Sequence, residues 1–167
     1  MTRQILTSDA MSEPRRYWLM KSEPDEVSVD DVLAMPGKKV AWYGVRNFQA
    51  RNFMKEQMRL KDGVLFYHSS CPEPGIVGIA EVASQAYPDE YQFDPSSKYH
   101  DPASRREKPR WYNVDVKVLR KTRLMGLPEM RGYPELADMI TLRRGNRLSI
   151  TPVTQAEWDF IIEKLES

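Results

Sequence analysis

The pattern of apolar and polar positions predicts five strands in this chain. The clearest case is WYNVDVKVL at 111–119, where three valines alternate with Asn113, Asp115 and Lys117. This period of two predicts a strand whose valine side, and not the side of Trp111, is the buried face. Four shorter β-rich runs predict further strands: YWLMK (17–21), VLFYHSS (64–70), GIVGIAEVAS (75–84) and LSITPV (148–153). The short CPEP connection between the second and third of these runs predicts that they are antiparallel neighbours.

Capping boxes mark the starts of two helices. Ser28 and Asp31 have the spacing of such a box, ahead of a short helix that must stop by Pro36-Gly37. Thr154 and Glu157 repeat the arrangement before a single apolar stripe, which predicts a closing helix. The stripe consists of Trp158, Ile161, Ile162 and Leu165.

The order of these elements favours an α+β domain. The later strands follow one another too closely to hold the crossover helices of a parallel βαβ array, so we expect a curved sheet or a small barrel. Residues 15–167 are assigned to this one domain and residues 1–14 to a flexible N-terminal tail. The segment 87–110 is rich in Pro, Asp, Ser and Tyr and has little periodicity, which is typical of a functional loop.

Composition narrows the class of protein. The chain has 167 residues, of which 41% are hydrophobic, and its single cysteine allows no internal disulfide. It shows no signal peptide and no run of about 20 apolar residues. These features predict a soluble protein of the cytoplasm.

Charge is distributed unevenly along the chain. The net charge is only +1, but residues 98–147 carry 13 Lys and Arg against 6 Asp and Glu. Such a segment attracts phosphates locally, although an ordinary solvated surface would have the same composition. If the segment holds a nucleic-acid backbone, its arginines are the candidate contacts. These are Arg105, Arg106, Arg110, Arg143, Arg144 and Arg147.

A second amphipathic helix is predicted at 45–58, and its first turn does not fit the pattern. On a helical wheel the apolar side chains of 50–58 share one face, yet Arg46 and Asn47 project onto that face. Either the helix begins later and both side chains are solvated, or its start faces a pocket that binds a polar or anionic ligand. Trp42, which precedes Gly44, would then form a pocket wall, although such a tryptophan also fits an ordinary core.

Six stretches of the chain, in order from Tyr17 to Trp158, resemble the EVE domain family, which includes the thymocyte nuclear proteins. They are WLMKSEPDE (18–26), WYGVRNFQARN (42–52), YHSSCPEPGIVGIAEV (67–82), AYPDEYQFDP (86–95), PRWYNVDV (109–116) and LRRGNRLSITPVTQAEW (142–158). The resemblance implies a fold related to PUA and YTH domains, namely a small mixed or antiparallel β-barrel flanked by helices. It also implies a pocket for a modified nucleobase, such as modified cytosine in DNA or a modified base in RNA.

The resemblance also implies which residues surround the pocket. Carried over by motif, they are Lys21, Ser22, Trp42, Val45, Arg46, Asn47, His68 and Ser69. The chain departs from the family pattern at Tyr43, where an aspartate is expected, and at Ser70, where asparagine is common. Both positions lie at the predicted rim, so they bear on which base is preferred.

Two other classes of function remain open at this stage. A small enzyme acting on a nucleotide-like substrate would use His68 and Cys71, which are the nucleophile–base candidates, although no third orienting group is evident. A protein-interaction adaptor is the third reading, but no amphipathic stripe is left over to serve it. No cluster of His, Cys and carboxylates has metal-ligand spacing, and no Gly-rich phosphate loop is present, so we expect no metal and no cofactor. Because the chain has no run of about 20 apolar residues, we also expect no membrane partner.

Overall fold

The computed structural model describes residues 14–166, so nearly all of the tail predicted at 1–14 lies outside the described residues. None of the helices in this range is long and apolar enough to cross a membrane. The strands and α-helices are β1 (Tyr17–Ser22), α1 (Val29–Leu33), β2 (Lys39–Ala41), α2 (Phe48–Asn52), β3 (Gly63–His68), β4 (Gly75–Val82), β5 (Tyr87–Pro88), β6 (Tyr112–Asn113), β7 (Asp115–Gly126), α3 (Leu127–Arg131), β8 (Ile150–Val153) and α4 (Gln155–Glu166).

Six of these strands form one mixed sheet in the order β2–β7–β4–β3–β1–β8, and β5 pairs with β6 in a separate two-stranded ladder. The β3–β4 pair is antiparallel, as the sequence predicts. The β1–β3 pair is parallel, with Tyr17 opposite Gly63, while β8 pairs antiparallel with the other edge of β1. The architecture is therefore the α+β class predicted, with a mostly antiparallel sheet and few helices.

Both faces of the sheet are covered, so residues 14–166 form two apolar cores. In β1, Trp18 and Met20 point into a core that α1 and α2 close, whereas Tyr17 and Leu19 point into a core that α4 closes. The α4 stripe predicted from the sequence supplies the second core with Trp158, Ile161 and Leu165. Burial of a large apolar side chain stabilises a fold by about 1.5–3 kcal/mol, so β1 is held on both sides.

Both predicted capping boxes are present. The hydroxyl of Ser28 accepts a hydrogen bond from the Asp31 amide at 3.0 Å, and the Asp31 carboxylate accepts one from the Ser28 amide at 2.9 Å. Thr154 and Glu157 make the same reciprocal pair at 3.1 and 3.0 Å. Because each box satisfies two amides that have no partner within the helix, it fixes the residue at which the helix begins.

The second helix begins later than residues 45–58 predict. Asn47 is extended (φ −122°, ψ 129°) and its side-chain oxygen accepts a hydrogen bond from the Ala50 amide, so α2 starts at Phe48. After Asn52 the chain continues as a π-helical turn through Gln57. The apolar face is retained because Ala50 and Met54 are fully buried. Val45, which precedes the helix, is buried as well.

The strand predicted at 111–119 does not form as one continuous strand. It is split into β6 and β7, and the break at Val114 leaves its carbonyl free to accept from the Trp42 amide at 2.8 Å. The valine side is buried, as predicted, but Trp111 and Asn113 are only 5% and 2% exposed. The reason is that the segment 87–110 folds back over this side, where the Gln92 side chain bonds the backbone of Trp111 through both its oxygen and its nitrogen.

Candidate nucleic-acid interface

A cavity of about 380 Å³ opens where β1 and β3 end. Its wall combines the residues that follow β1, the connection 40–46 between β2 and α2, the turn after β3 and part of the turn before β8. The lining residues are Lys21, Ser22, Glu23, Glu26, Val27, Val40, Ala41, Trp42, Tyr43, Gly44, Val45, Arg46, Ser69, Ser70, Tyr99, Arg147 and Ser149. The cavity therefore mixes aromatic faces with groups of both charges.

Six of the eight sequence-predicted site residues line this cavity. They are Lys21, Ser22, Trp42, Val45, Arg46 and Ser69. Asn47 and His68 do not. The Asn47 side chain is committed to capping α2, and Nε2 of His68 accepts a hydrogen bond from the Val29 amide at 3.1 Å, which ties α1 to the end of β3.

The β1 end supplies two polar groups to the cavity. The Ser22 hydroxyl donates to the Val27 carbonyl at 2.6 Å and so holds the chain that turns away after β1. Lys21 lies with its Nζ 5.7 Å from the centre of the Tyr67 ring, and burial lowers the pKa of its ammonium group. An ammonium group that is partly desolvated interacts more strongly with an anion than one in bulk water.

Trp42 is both a cavity wall and a core residue. Its side chain belongs to the core closed by α1 and α2, is 6% exposed and meets the Phe66 ring edge-on at 5.2 Å. The two readings of Trp42 that the sequence allows are therefore combined. Truncation of Trp42 would open the core as well as the cavity, so a loss of binding in that variant would not by itself identify a ligand contact.

Arg46 joins the two segments that form the cavity mouth. Its guanidinium donates to the Tyr99 carbonyl from Nε and Nη2 at 3.1 and 2.8 Å, and to the Val45 carbonyl from Nη1 at 2.9 Å. The same Nη1 lies 3.0 Å from the carboxylate of Asp89, which is completely buried. Because most of its donors already have protein acceptors, Arg46 is held as a clamp between the connection 40–46 and the segment 87–110.

Gly44 permits the close approach of these two segments. Its φ is +85°, and a Cβ at this position would lie 2.7 Å from a carbon of the Tyr99 ring. Its amide donates to Asp89 at 2.7 Å. A glycine is therefore required twice, once for the left-handed backbone and once for the space.

Glu26 is the residue that sequence reasoning missed. The Tyr99 hydroxyl donates to its two carboxylate oxygens at 2.8 and 2.9 Å, Lys98 lies 3.3 Å away, and Tyr43 also hydrogen-bonds it. Burial alone would raise the pKa of Glu26, but the hydrogen bonds from Tyr99, Tyr43 and Lys98 outweigh it and leave the pKa below its usual value. Burial, together with the bond to Glu26, raises the pKa of both phenols. The cavity thus holds an ionised carboxylate among protonated phenols at neutral pH.

The two departures from the family pattern both lie in the cavity wall. Tyr43 packs its ring 4.8 Å from that of Tyr91 and 5.8 Å from that of Tyr99, so it extends the aromatic wall. Ser70 has a φ of +55°, a conformation in which asparagine is enriched among non-glycine residues. The asparagine common at this position therefore has a backbone explanation.

The six arginines that the sequence offers as contacts to a nucleic-acid backbone fall into two groups. Arg143, Arg144 and Arg147 are exposed on the turn before β8, and Arg147 also lines the cavity. The other three belong to the segment 87–110. Of these, Arg106 pairs with Glu90 at 3.0 Å and Arg110 with Asp101 at 3.3 Å, while Arg105 is exposed.

Comparison with known proteins places the chain in a family. The EVE domain matches residues 16–164. Mouse thymocyte nuclear protein 1 is 40% identical over 168 aligned positions, which cover 90% of this chain and 74% of the relative. A solved structure of human THYN1 protein in complex with 5-methylcytosine containing DNA is 39% identical, covers 91% of this chain and 98% of that one, and has a TM-score of 0.84. A hypothetical protein from Leishmania major is 41% identical, with a TM-score of 0.87 over 93% of this chain and 97% of that one. Together with the cavity and the fold, these matches show that the chain belongs to the EVE domain family.

Proposed function

We propose that this protein is a non-catalytic module that binds DNA carrying a modified cytosine and takes that base into the cavity beside β1. The observation that carries the proposal is the ionised Glu26 carboxylate, set among aromatic rings in a cavity large enough for a single base. The complex of the human relative with 5-methylcytosine containing DNA supports the choice of DNA and of cytosine.

The cavity suits a flat, partly polar group. Its volume of about 380 Å³ is near the lower end of the range of about 300–1,000 Å³ for ligand pockets. Trp42, Tyr43 and Tyr99 give it aromatic walls, which are the surfaces on which extruded bases stack. A base stacked inside a duplex is out of reach of such a cavity, so it has to leave the helix or come from a single strand.

Glu26 gives the cavity a means of choosing cytosine. Cytosine presents an amino group at N4, whereas thymine and uracil present a carbonyl oxygen at the same place. An ionised carboxylate can only accept hydrogen bonds, and it has room for about four donors. Tyr99, Tyr43 and Lys98 provide three of them, which leaves capacity for the cytosine amino group and repels a carbonyl.

The arginines on the turn before β8 are suited to hold phosphates near the cavity mouth. Arg147 reaches the cavity wall, and Arg143 and Arg144 are exposed on the same turn. Phosphate contacts carry no base information, so this turn would add affinity without selectivity. A protein that binds DNA has to share its compartment, which agrees with a location at the nucleoid or in the nucleus.

The proposal is tested by the affinities for matched oligonucleotides that differ at one base: 5-methylcytosine, cytosine or thymine in DNA, and the same series in RNA. We expect 5-methylcytosine in DNA to bind most tightly. Glu26→Gln should reduce the preference for 5-methylcytosine over thymine by about 10- to 150-fold, which corresponds to about 1.5–3 kcal/mol for a hydrogen bond to a charged group. Glu163→Gln, the same change at an exposed position of α4, is the matched control and should leave the preference unchanged. Equal affinities of the unaltered protein for all of the bases would refute the proposal.

The enzymatic alternative rests on His68 and Cys71, and the geometry gives it no support. Nε2 of His68 accepts a hydrogen bond from the Val29 amide, so the lone pair that a general base would use is already occupied. Cys71 is a free, partly exposed cysteine in the turn after β3. Cys71→Ser should therefore retain full binding and any activity, and a folded Cys71→Ser protein that has lost its function would revive the alternative.

A further inference from the structure

Phe48, the first residue of α2, is an exposed aromatic ring placed among cations. It is 46% exposed and lies stacked on Trp111, with ring centres 4.6 Å apart and planes 22° from parallel. The guanidinium carbons of Arg51 and Arg110 are 4.7 and 5.4 Å from its ring centre. Arg51 is held in place because it donates to the Arg110 carbonyl at 2.7 Å and to the Asn52 side chain. The result is a fixed stack of flat groups that ends in solvent.

This stack forms one side of an open groove with a volume of about 850 Å³. The groove is also lined by residues of the segment 103–110, by Tyr112 and by Lys55, whose Nζ lies 5.0 Å from the centre of the Tyr112 ring. The groove contains five cationic side chains and one carboxylate, that of Glu107. Lys55, Arg105 and Lys108 are exposed, and none of them forms an ion pair with another described residue. The groove is therefore complementary to an anionic partner.

The groove adjoins the cavity through two side chains. The guanidinium carbon of Arg46, which lines the cavity, lies 5.4 Å from the centre of the Trp111 ring. Trp111 in turn stacks on Phe48. An extended ligand bound at the cavity mouth could therefore reach the groove by passing over the contact between Arg46 and Trp111.

We propose that this groove binds an unpaired stretch of nucleic-acid strand, with a base stacked against Phe48 and phosphates held by Lys55, Arg105 and Lys108. Unpaired bases stack on aromatic rings and on guanidinium planes, and a basic groove follows the backbone between them. An acidic peptide would satisfy the cations but would leave the Phe48 stack without a flat partner, so the strand is the better match. That this strand is continuous with the base in the cavity rests on the proposed function, whereas the affinity of the groove for a plain strand does not.

The experiment measures fluorescence anisotropy with a labelled oligothymidylate, which has no modified base, and with the 5-methylcytosine oligonucleotide and its unmodified counterpart. Phe48→Ala should weaken binding of all three by roughly 5- to 150-fold, which corresponds to the loss of one base–aromatic stack. The ratio of the affinities for modified and unmodified DNA should not change. Phe48→Tyr, which retains the ring, should bind as the unaltered protein does. Leu60→Ala removes another exposed apolar side chain (52% exposed) away from the groove and should have no effect.

Charge is tested separately. Replacing Arg105 and Lys108 together by Gln should lower the slope of log K against log salt by about 1.4, since each phosphate contact on a single strand contributes about 0.7. The same change at Lys38 and Lys39, two exposed lysines outside the groove, is the control and should leave the slope as it is.

The proposal is overturned if a folded Phe48→Ala protein binds oligothymidylate as tightly as the unaltered protein does. It is also overturned if a glutamate-rich peptide displaces the strand and Phe48→Ala does not alter that competition. If the unaltered protein shows no preference for the modified base but Phe48→Ala still weakens binding of oligothymidylate, only the proposed function is refuted.

Discussion

Replacing Arg46 with lysine separates two roles for this side chain, as a clamp of the cavity wall and as a reader of the ligand. The guanidinium donates in three directions, to the Tyr99 carbonyl, to the Val45 carbonyl and to the Asp89 carboxylate. A lysine carries its three donors on one nitrogen, so it can keep the Asp89 pair but not the two carbonyl bonds as well. The two bonds to the Tyr99 carbonyl share one acceptor and are counted once. At about 1.5 kcal/mol for each of the two carbonyls that loses its bond to a charged group, the loss is about 3 kcal/mol of unfolding free energy.

The assay is urea unfolding monitored by tryptophan fluorescence, together with affinity for the preferred oligonucleotide. With a slope of about 2 kcal/mol per M of urea, a loss of this size lowers the midpoint by about 1.5 M. Arg46→Met should cost more, about 3–5 kcal/mol, because it leaves the Asp89 charge buried without its partner. Arg144→Lys, at an exposed arginine, is the control and should not move the midpoint. The reasoning is refuted if Arg46→Lys keeps the urea midpoint of the unaltered protein and loses tenfold or more in affinity, since that pattern belongs to a residue that contacts the ligand.

Three further outcomes follow from the same geometry. Gly44→Ala should destabilise the protein by at least about 1–2 kcal/mol, the cost of a left-handed conformation, and should lower affinity as the Tyr99 ring is displaced; an unchanged thermal midpoint would contradict this. Burial lowers the pKa of His68, so below pH of about 6.5 the unfolded chain takes up a proton that the folded one does not, and stability should fall as the pH drops from 6.5 towards the folded-state pKa. His68→Gln, which keeps an acceptor but does not titrate, should flatten that slope in urea midpoints measured at pH 7.5, 6.0 and 5.0. Replacing Arg143 and Arg144 with Gln should lower the affinity for modified and unmodified DNA equally and reduce the salt dependence of binding. A change in base preference would show instead that these side chains reach the base.

Local signals in the sequence predicted local structure well. The Ser28 and Thr154 capping boxes and the stripe of α4 depend on neighbours three or four residues away, and the structure confirms them. The late start of α2 had a local signal too, since asparagine is a preferred N-cap residue, but the helical wheel was extended past Asn47. Of the eight residues that the resemblance to the EVE domain family implies for a pocket, six line the cavity, and the pattern at the predicted helix start had pointed to two of those, Trp42 and Arg46.

Contacts between distant parts of the chain could not be predicted from these patterns. Asp89 neutralises Arg46 from the segment 87–110, and Tyr99 holds Glu26 across 73 positions. The sequence around one partner does not predict the other, because neither a buried ion pair nor a phenol–carboxylate hydrogen bond produces a periodic pattern in the sequence. The same holds for the parallel pairing of β1 with β3, which depends on how the two helices between them pack.

The position of β1 also has a consequence for how the protein is made. β1 leaves the ribosome well before β8, yet one of its edges pairs with β8, where Leu19 faces Thr151. Until residues 150–153 have been synthesised, that edge of β1 has no partner in the nascent chain and can associate with other incomplete chains. Contacts so distant in sequence also slow folding, because the loop between them must close first. We therefore expect chains that terminate before Arg147 to depend on chaperones for solubility and to have an incomplete cavity, since they lack both β8 and the two wall residues Arg147 and Ser149.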